Sequence, residues 1–212
     1  MSRINASNLV IKEKSEKCFE DYLNNHGYEY IKDYKLKGGK EIDFLVQGKN
    51  IYVYCDVKAI LVSKDNSTNM NVAIKRLRKD LSELRKKFNL SKPDFPLILV
   101  SMNFSNESIT GFTYARAMYG EMTFGLKPLH HMEKGNAAMT IKHNTGISGI
   151  LGFNYENTIE SYLFHNQFAE NPIPPKFFPS TIDVINSRDS TRTNLELLGG
   201  TLIQPYIRRL SE

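Results

Sequence analysis

Three polar side chains in the first third of the chain stand at spacings that can do chemistry. Asp56 and Lys58 are two positions apart within residues 51–58, and Asp43 lies within residues 41–47 just before them. Both runs are rich in Ile, Val, Phe and Tyr, with Gly48, Lys49 and Asn50 between them, so they read as a β-hairpin. Alternation puts Tyr52, Tyr54, Asp56 and Lys58 on one face and Ile51, Val53, Cys55 and Val57 on the other. On the earlier strand, Asp43 and Leu45 share a face, and Ile42, Phe44 and Val46 take the opposite one. A two-residue turn aligns Asp43 with Asp56, either Gly48–Lys49 as type II′ or Lys49–Asn50 as type I′. Glycine at the first turn position favours the former. A three-residue loop without a bulge would send the two acids to opposite faces.

Two carboxylates facing each other across a sheet repel, and a divalent cation offsets that repulsion. Magnesium takes oxygen ligands in octahedral geometry and typically uses one or two carboxylates with water and phosphate oxygens. Lys58, one residue pair along the same face, can orient an attacking water, lower its pKa or counter charge on a pentavalent phosphate. The plain alternative is the solvated face of an ordinary hairpin. Tyr52 and Tyr54 on that face, and a helix before the hairpin, weigh against it.

The elements that must position these groups follow from periodicity. Residues 14–25 predict a helix: Phe19 and Leu23 repeat at helical spacing, Glu16 and Glu20 lie on or beside that face, and Gly27 ends it. Residues 28–35 read as a strand, and Gly38–Gly39 as a turn or flexible loop. Residues 63–68 form a polar loop, and residues 72–90 an amphipathic helix with Leu77, Leu81, Leu84 and Phe88 as its buried stripe. Pro93 and Pro96 precede a buried strand at residues 97–104. The order is helix, strand, strand, strand, helix, strand.

The second half predicts strands at residues 118–129, 137–143 and 146–153, and a helix at 156–169 with Ile159, Tyr162, Leu163 and Phe168 available for packing. Residues 171–179 carry four prolines and must be extended or turning. A helix or strand is expected at 194–198 and another at 202–209.

Taken together, Glu16, Gly27–Tyr28, Ile42–Asp43 and Asp56–Val57–Lys58 resemble the PD-(D/E)xK nuclease superfamily, the restriction-endonuclease-like fold. The spacing is similar to that of archaeal Holliday-junction resolvases and Mrr-type restriction enzymes, and the resemblance covers residues 14–104. It implies an α/β fold with an αβββαβ core, a central mixed sheet flanked by helices. It implies that Asp43 and Asp56 bind Mg²⁺, with Mn²⁺ able to substitute, that Lys58 is the catalytic lysine, and that Glu16 is the helix-borne acid completing the metal shell. Glu20, one turn on, is the rival for that last role; the distance from Glu16 to Gly27 matches the family better. Ile42 stands where the name-giving motif has proline, and the second acid is Asp rather than the commoner Glu. Neither change removes a ligand. The implied activity is endonucleolytic hydrolysis of DNA, in restriction or phage defence. The rivals are an RNA- or tRNA-cleaving toxin on the same fold and a catalytically inactive nucleic-acid-binding protein. Residues 1–106 would form the nuclease core and 107–212 a C-terminal extension that completes the domain and serves substrate recognition, homodimer formation or both.

Composition is consistent with this. The chain has 212 residues, 41% hydrophobic and 24% charged, a net charge of +5 and a pI near 9.0, a mild basic excess compatible with a polyanionic partner. Cys18 and Cys55 sit in apolar segments and read as reduced core residues. No apolar signal-peptide region and no run of roughly 18 apolar residues is evident, so the expected setting is cytoplasmic, away from membranes. The cations of the second helix (Lys75, Arg76, Arg78, Lys79, Arg85, Lys86, Lys87) can track phosphates or form a solvated face with pairs such as Glu83–Lys87. Lys64, Asn66 and Asn69 can contact a substrate backbone. His130–His131, Asn136 and His143–Asn144 lack the carboxylate and ββα pattern of an HNH site. The aromatics Phe153, Tyr155, Tyr162, Phe164, Phe168, Phe177 and Phe178 are explained more simply by packing than by base stacking.

Overall fold

The computed structural model describes residues 3–36, 39–61, 69–88, 93–105, 109–120, 138–139, 143–154 and 161–184. It is an α/β fold. Helix α1 (Arg3–Asn25) leads into strands β1 (Glu29–Lys35), β2 (Glu41–Gln47) and β3 (Tyr52–Ile60). Helix α2 (Asn69–Phe88), strand β4 (Leu97–Asn103), helix α3 (Gly111–Tyr119) and strands β5 (Gly149–Asn154), β6 (Ser161–His165) and β7 (Ile182–Val184) follow. The seven strands form one mixed sheet in chain order. β1, β2 and β3 pair antiparallel, β3–β4 and β4–β5 are parallel, β5–β6 is antiparallel, and β6–β7 is parallel.

The helices cover both faces of the sheet, and each face builds its own core. On one side, α2 and α3 bring Leu77, Leu81, Leu84, Tyr114 and Met118 onto Tyr54, Ile60, Leu99 and Ile150. On the other, Phe19 and Leu23 of α1 join Phe178 and Ile173 over Val53, Cys55, Val57, Ile98 and Val100. β4 is buried along its whole length, as expected of a parallel strand covered on both faces. Gly27 ends α1 at φ +70°, while the Tyr28 amide donates to the Leu23 carbonyl at 3.0 Å, the closure a left-handed C-terminal glycine permits.

The order helix, three strands, helix, strand is present as expected, with α1 beginning earlier than its periodicity indicated. The second half departs from expectation in three places. Met118 and Tyr119 end helix α3 instead of opening a strand, because both pack inward against α2 and the sheet. Residues 161–165, expected within a helix, form β6, where Leu163 and Phe164 are buried on opposite faces of the sheet. A strand buried on both faces loses the alternation that would distinguish it from a helix. β7 was not expected from the sequence. The expected elements at 194–198 and 202–209, and all but Ala138, Met139 and His143 of the strand at 137–143, lie outside the described residues. Among the described residues, no helix is long and apolar enough to cross a membrane.

Two glycines let β5 lie tightly between its neighbours. A Cβ at Gly152 would come within 2.5 Å of the Tyr114 ring, and one at Gly149 would fall on the Phe164 carbonyl oxygen. Backbone cannot rotate away as a side-chain tip can. Gly149→Ala should therefore lower the unfolding free energy by about 2 kcal/mol, the scale of overpacking a dense core, measured by urea denaturation. An unchanged midpoint would contradict this packing.

Candidate active site

The hairpin between β2 and β3 brings the acids together. Its ladder pairs Gln47 with Tyr52, Val46 with Val53, Leu45 with Tyr54 and Phe44 with Cys55, and the Gly48 amide donates to the Ile51 carbonyl at 2.8 Å. The turn residues are therefore Lys49 and Asn50, the second of the two registers considered, and not the favoured Gly48–Lys49. Neither has positive φ, so the turn is not of the primed kind. Gly48 serves packing instead: a Cβ there would come within 2.5 Å of the Phe177 ring.

Beyond Phe44 the ladder opens. Continued in the same register, Val57 would pair with Ile42; instead its amide donates to Asp43 Oδ2 at 2.6 Å. On the other side of β2, the β1 ladder passes over Asp33, whose φ is +51°, opposite Asp43. Alternation fails at the same point. Ile42 packs with Leu45 in the α2/α3 core instead of sharing the face of Phe44. The Asp43 carboxylate thus sits in the seam between β2 and β3. Burial raises its pKa, Asp56 raises it further, and the Val57 amide, Lys58 and Lys87 act against the rise.

Asp56 is more enclosed than Asp43, 1% exposed. Lys87 of α2 donates to its Oδ1 at 2.5 Å, and Lys58 lies 2.7 Å from Oδ2. Each oxygen of the Asp56 carboxylate is thus paired with an ammonium, one from α2 and one from its own strand. Burial disfavours the Lys58 ammonium, but Asp56, Asp43 and Asp80 outweigh it and its pKa is raised. Lys58 is a firm cation. The face carrying Asp56 is not a solvated one, since Tyr54 and Ile60 on either side of it pack under α2.

The two helical acids have different surroundings. Glu20 accepts from the Tyr30 hydroxyl at 3.2 Å and from Lys32 at 3.3 Å, which ties it to β1. Glu16 pairs with Lys12 at 3.2 Å, and its buried Oε1 has no partner of hydrogen-bonding geometry among the described residues. Burial lowers the Lys12 pKa, but Glu16 and then Asp43 raise it overall, against a small opposing effect of Lys58. This turn of α1 therefore feels the charges of the seam. The structure brings Asp43, Asp56 and Lys58 together and leaves Glu16 at their margin. Among the described residues no three His, Cys, Asp or Glu side chains close into one metal-binding group.

Two site residues escaped the sequence argument. Lys87, expected to pair with Glu83, turns inward to Asp56, and Glu83 pairs with Lys79 at 3.7 Å. Asp80, among the cations of the second helix in sequence, is buried, with Arg76 donating to its Oδ2 at 3.1 Å and Oδ1 without a hydrogen-bond partner among the described residues. Its helical position beside Leu77, Leu81 and Leu84 was the available signal. Arg78 is also spent internally, donating to the Arg116 and Ala117 carbonyls at the end of α3. Cys55 is a buried thiol whose pKa is pushed up by burial, then by Asp43 and Asp56, and Cys18 is also free. Of the aromatics, Phe153, Tyr162, Phe164, Phe168, Phe177 and Phe178 belong to the two cores. Lys64, Asn66, His130, His131, Asn136, Tyr155 and the side chain of Asn69 lie outside the described residues.

No protein-family model matches the chain, and no curated protein and no solved structure matches it.

Asp80 gives the site a measurable pH signature. Burial, with Glu83 adding to it against Arg76 and Lys58, pushes its pKa from 3.8 up to about 6. The folded state thus keeps a proton that the unfolded chain has released, so Asp80 contributes stability at acid pH that is lost as pH rises through about 6. Asp80→Asn removes this titration. Relative to wild type it should gain about 2–3 kcal/mol between about pH 4 and about pH 7, read from urea melts across that range. A difference that does not vary with pH would contradict the buried, raised carboxyl.

Proposed function

We propose that the protein is a metal-dependent endonuclease on a restriction-endonuclease-like core, hydrolysing DNA phosphodiester bonds. The observation that carries this is the convergence of Asp43 and Asp56 at an opened strand seam with the Lys58 cation 2.7 Å from Asp56. The order α1, β1, β2, β3, α2, β4 is the core order of that fold and supports the same reading.

The residues present fit a hard divalent cation. The donors are all oxygen, and burial together with the neighbouring Asp56 makes the Asp43 carboxyl harder to ionise, a cost that a cation between the two acids would offset. Asp43 and Asp56 would hold Mg²⁺ (or Mn²⁺), and Glu16 of α1 is the candidate third acid. When bound, the ion would polarise the phosphate and activate water as the nucleophile. The protein's own groups would divide the remaining tasks. Lys58, held protonated by Asp56, Asp43 and Asp80, donates and cannot accept a proton. It is suited to stabilising negative charge that grows on the phosphate, not to acting as the base. The Val57 amide fixes the orientation of Asp43 through a 2.6 Å hydrogen bond, so one carboxylate oxygen remains for a ligand.

The test is incubation with plasmid DNA, single-stranded DNA and RNA, with Mg²⁺ and with EDTA. Cleavage of DNA that requires the ion is expected, and Asp43→Asn, Asp56→Asn and Lys58→Met should each reduce it by at least about a hundredfold. Preferential cleavage of RNA would move the substrate to RNA on the same chemistry. No cleavage of any of them, or full activity of Asp56→Asn, would overturn the proposal.

The helical acids give a second, finer prediction. Glu16→Gln should lower the rate by about tenfold or more, whereas Glu20→Gln should leave it nearly unchanged and lose only its ties to Tyr30 and Lys32. The opposite ranking in the same plasmid assay would assign the role to Glu20.

A further inference from the structure

We infer that Lys87 is an internal counter-ion guarding the metal site: its ammonium occupies Asp56 in the metal-free protein, and an incoming divalent cation displaces it. The inference rests on the nuclease reading above and adds to it a residue on α2 that the motif does not include.

Charge must balance in a closed space. Asp43 and Asp56 bring two negative charges into the buried seam, and Lys58 and Lys87 bring two positive ones. A divalent ion between the carboxylates would leave a buried excess of two positive charges, and like charges a few ångströms apart in a poorly solvated site repel strongly. One ammonium must withdraw. Lys58 is held on the sheet by the combined pull of Asp56, Asp43 and Asp80. Lys87 stands in the last turn of α2 and has an exit, since its side chain is 30% exposed while Asp56 is 1% exposed. Swung outward, the Lys87 ammonium joins Arg85 and Lys86 on the last turn of the helix, where a phosphate backbone can meet it. The same lysine thus pairs the acids until an ion arrives and becomes a phosphate contact once the ion is in place.

The experiment is isothermal titration of Mn²⁺ alone, without nucleic acid, into wild type, Lys87→Met and Lys87→Arg. Removing the competing ammonium should tighten Mn²⁺ binding by about tenfold in Lys87→Met, and Lys87→Arg should bind no more tightly than wild type. Equal or weaker binding by Lys87→Met would overturn the inference and leave the nuclease proposal standing. Absence of Mn²⁺ binding in all three would overturn both. A readout on the unaltered protein covers a variant that fails to fold: acetylation of Lys87, followed by mass spectrometry, should become several-fold faster when Mn²⁺ is added, by comparison with Lys58. Unchanged or slower labelling of Lys87 would also overturn the inference.

Discussion

Where β2 and β3 part, the Val57 amide would be orphaned inside the sheet were it not for the Asp43 carboxylate, which accepts it at 2.6 Å. A buried backbone donor without a partner costs about 1–3 kcal/mol, so this contact is what allows the ladder to end in the interior without penalty. It also turns a strand residue into a site residue. With its carboxylate in the seam, Asp43 lies close enough to Asp56 to feel its charge. The left-handed residue Asp33 on β1, opposite Asp43, belongs to the same local distortion. The remaining geometry of the site follows from this break.

Closing such a seam under helices requires cations. α2 covers the Asp56 face with Leu77, Leu81 and Leu84, which removes water from the acid and would leave its charge unpaired. Lys58 from the strand and Lys87 from the helix supply the compensation, and Asp80 in turn pulls on Lys58. The result is a chain of alternating charge running from the sheet into α2, buried in the same core that holds the helix in place. Packing and chemistry are therefore coupled here: the apolar stripe that docks α2 also sets the register at which Lys87 meets Asp56. Arg78 reinforces this docking by capping α3, which shares the same core.

The sequence carried much of this and missed parts for identifiable reasons. Period-two alternation was enough to find the hairpin, and the aspartates at its centre could be placed on one face in either two-residue register. The stripe of Leu77, Leu81, Leu84 and Phe88 was equally legible and is buried as expected. The turn register was misjudged because Gly48 looked like a turn glycine, whereas the Phe177 ring, far along the chain, is what requires it. Lys87 was hidden because helical spacing offers Glu83 as a local partner and says nothing of Asp56 across the core. Asp80 was not singled out, for the same lack of tertiary information. In the second half, α3 has only nine residues, several of them aromatic or β-branched, and β6 is buried on both faces. Periodicity has little to grip in either.

The central claim is that the opened seam is a cation site. A crystal soaked in Mn²⁺, with the ion located by its anomalous scattering, tests this most directly. The account predicts a peak within bonding distance of the Asp43 and Asp56 carboxylates, on the side to which Lys58 points. No peak at the seam, or an ion bound elsewhere while the two carboxylates diverge, would contradict it.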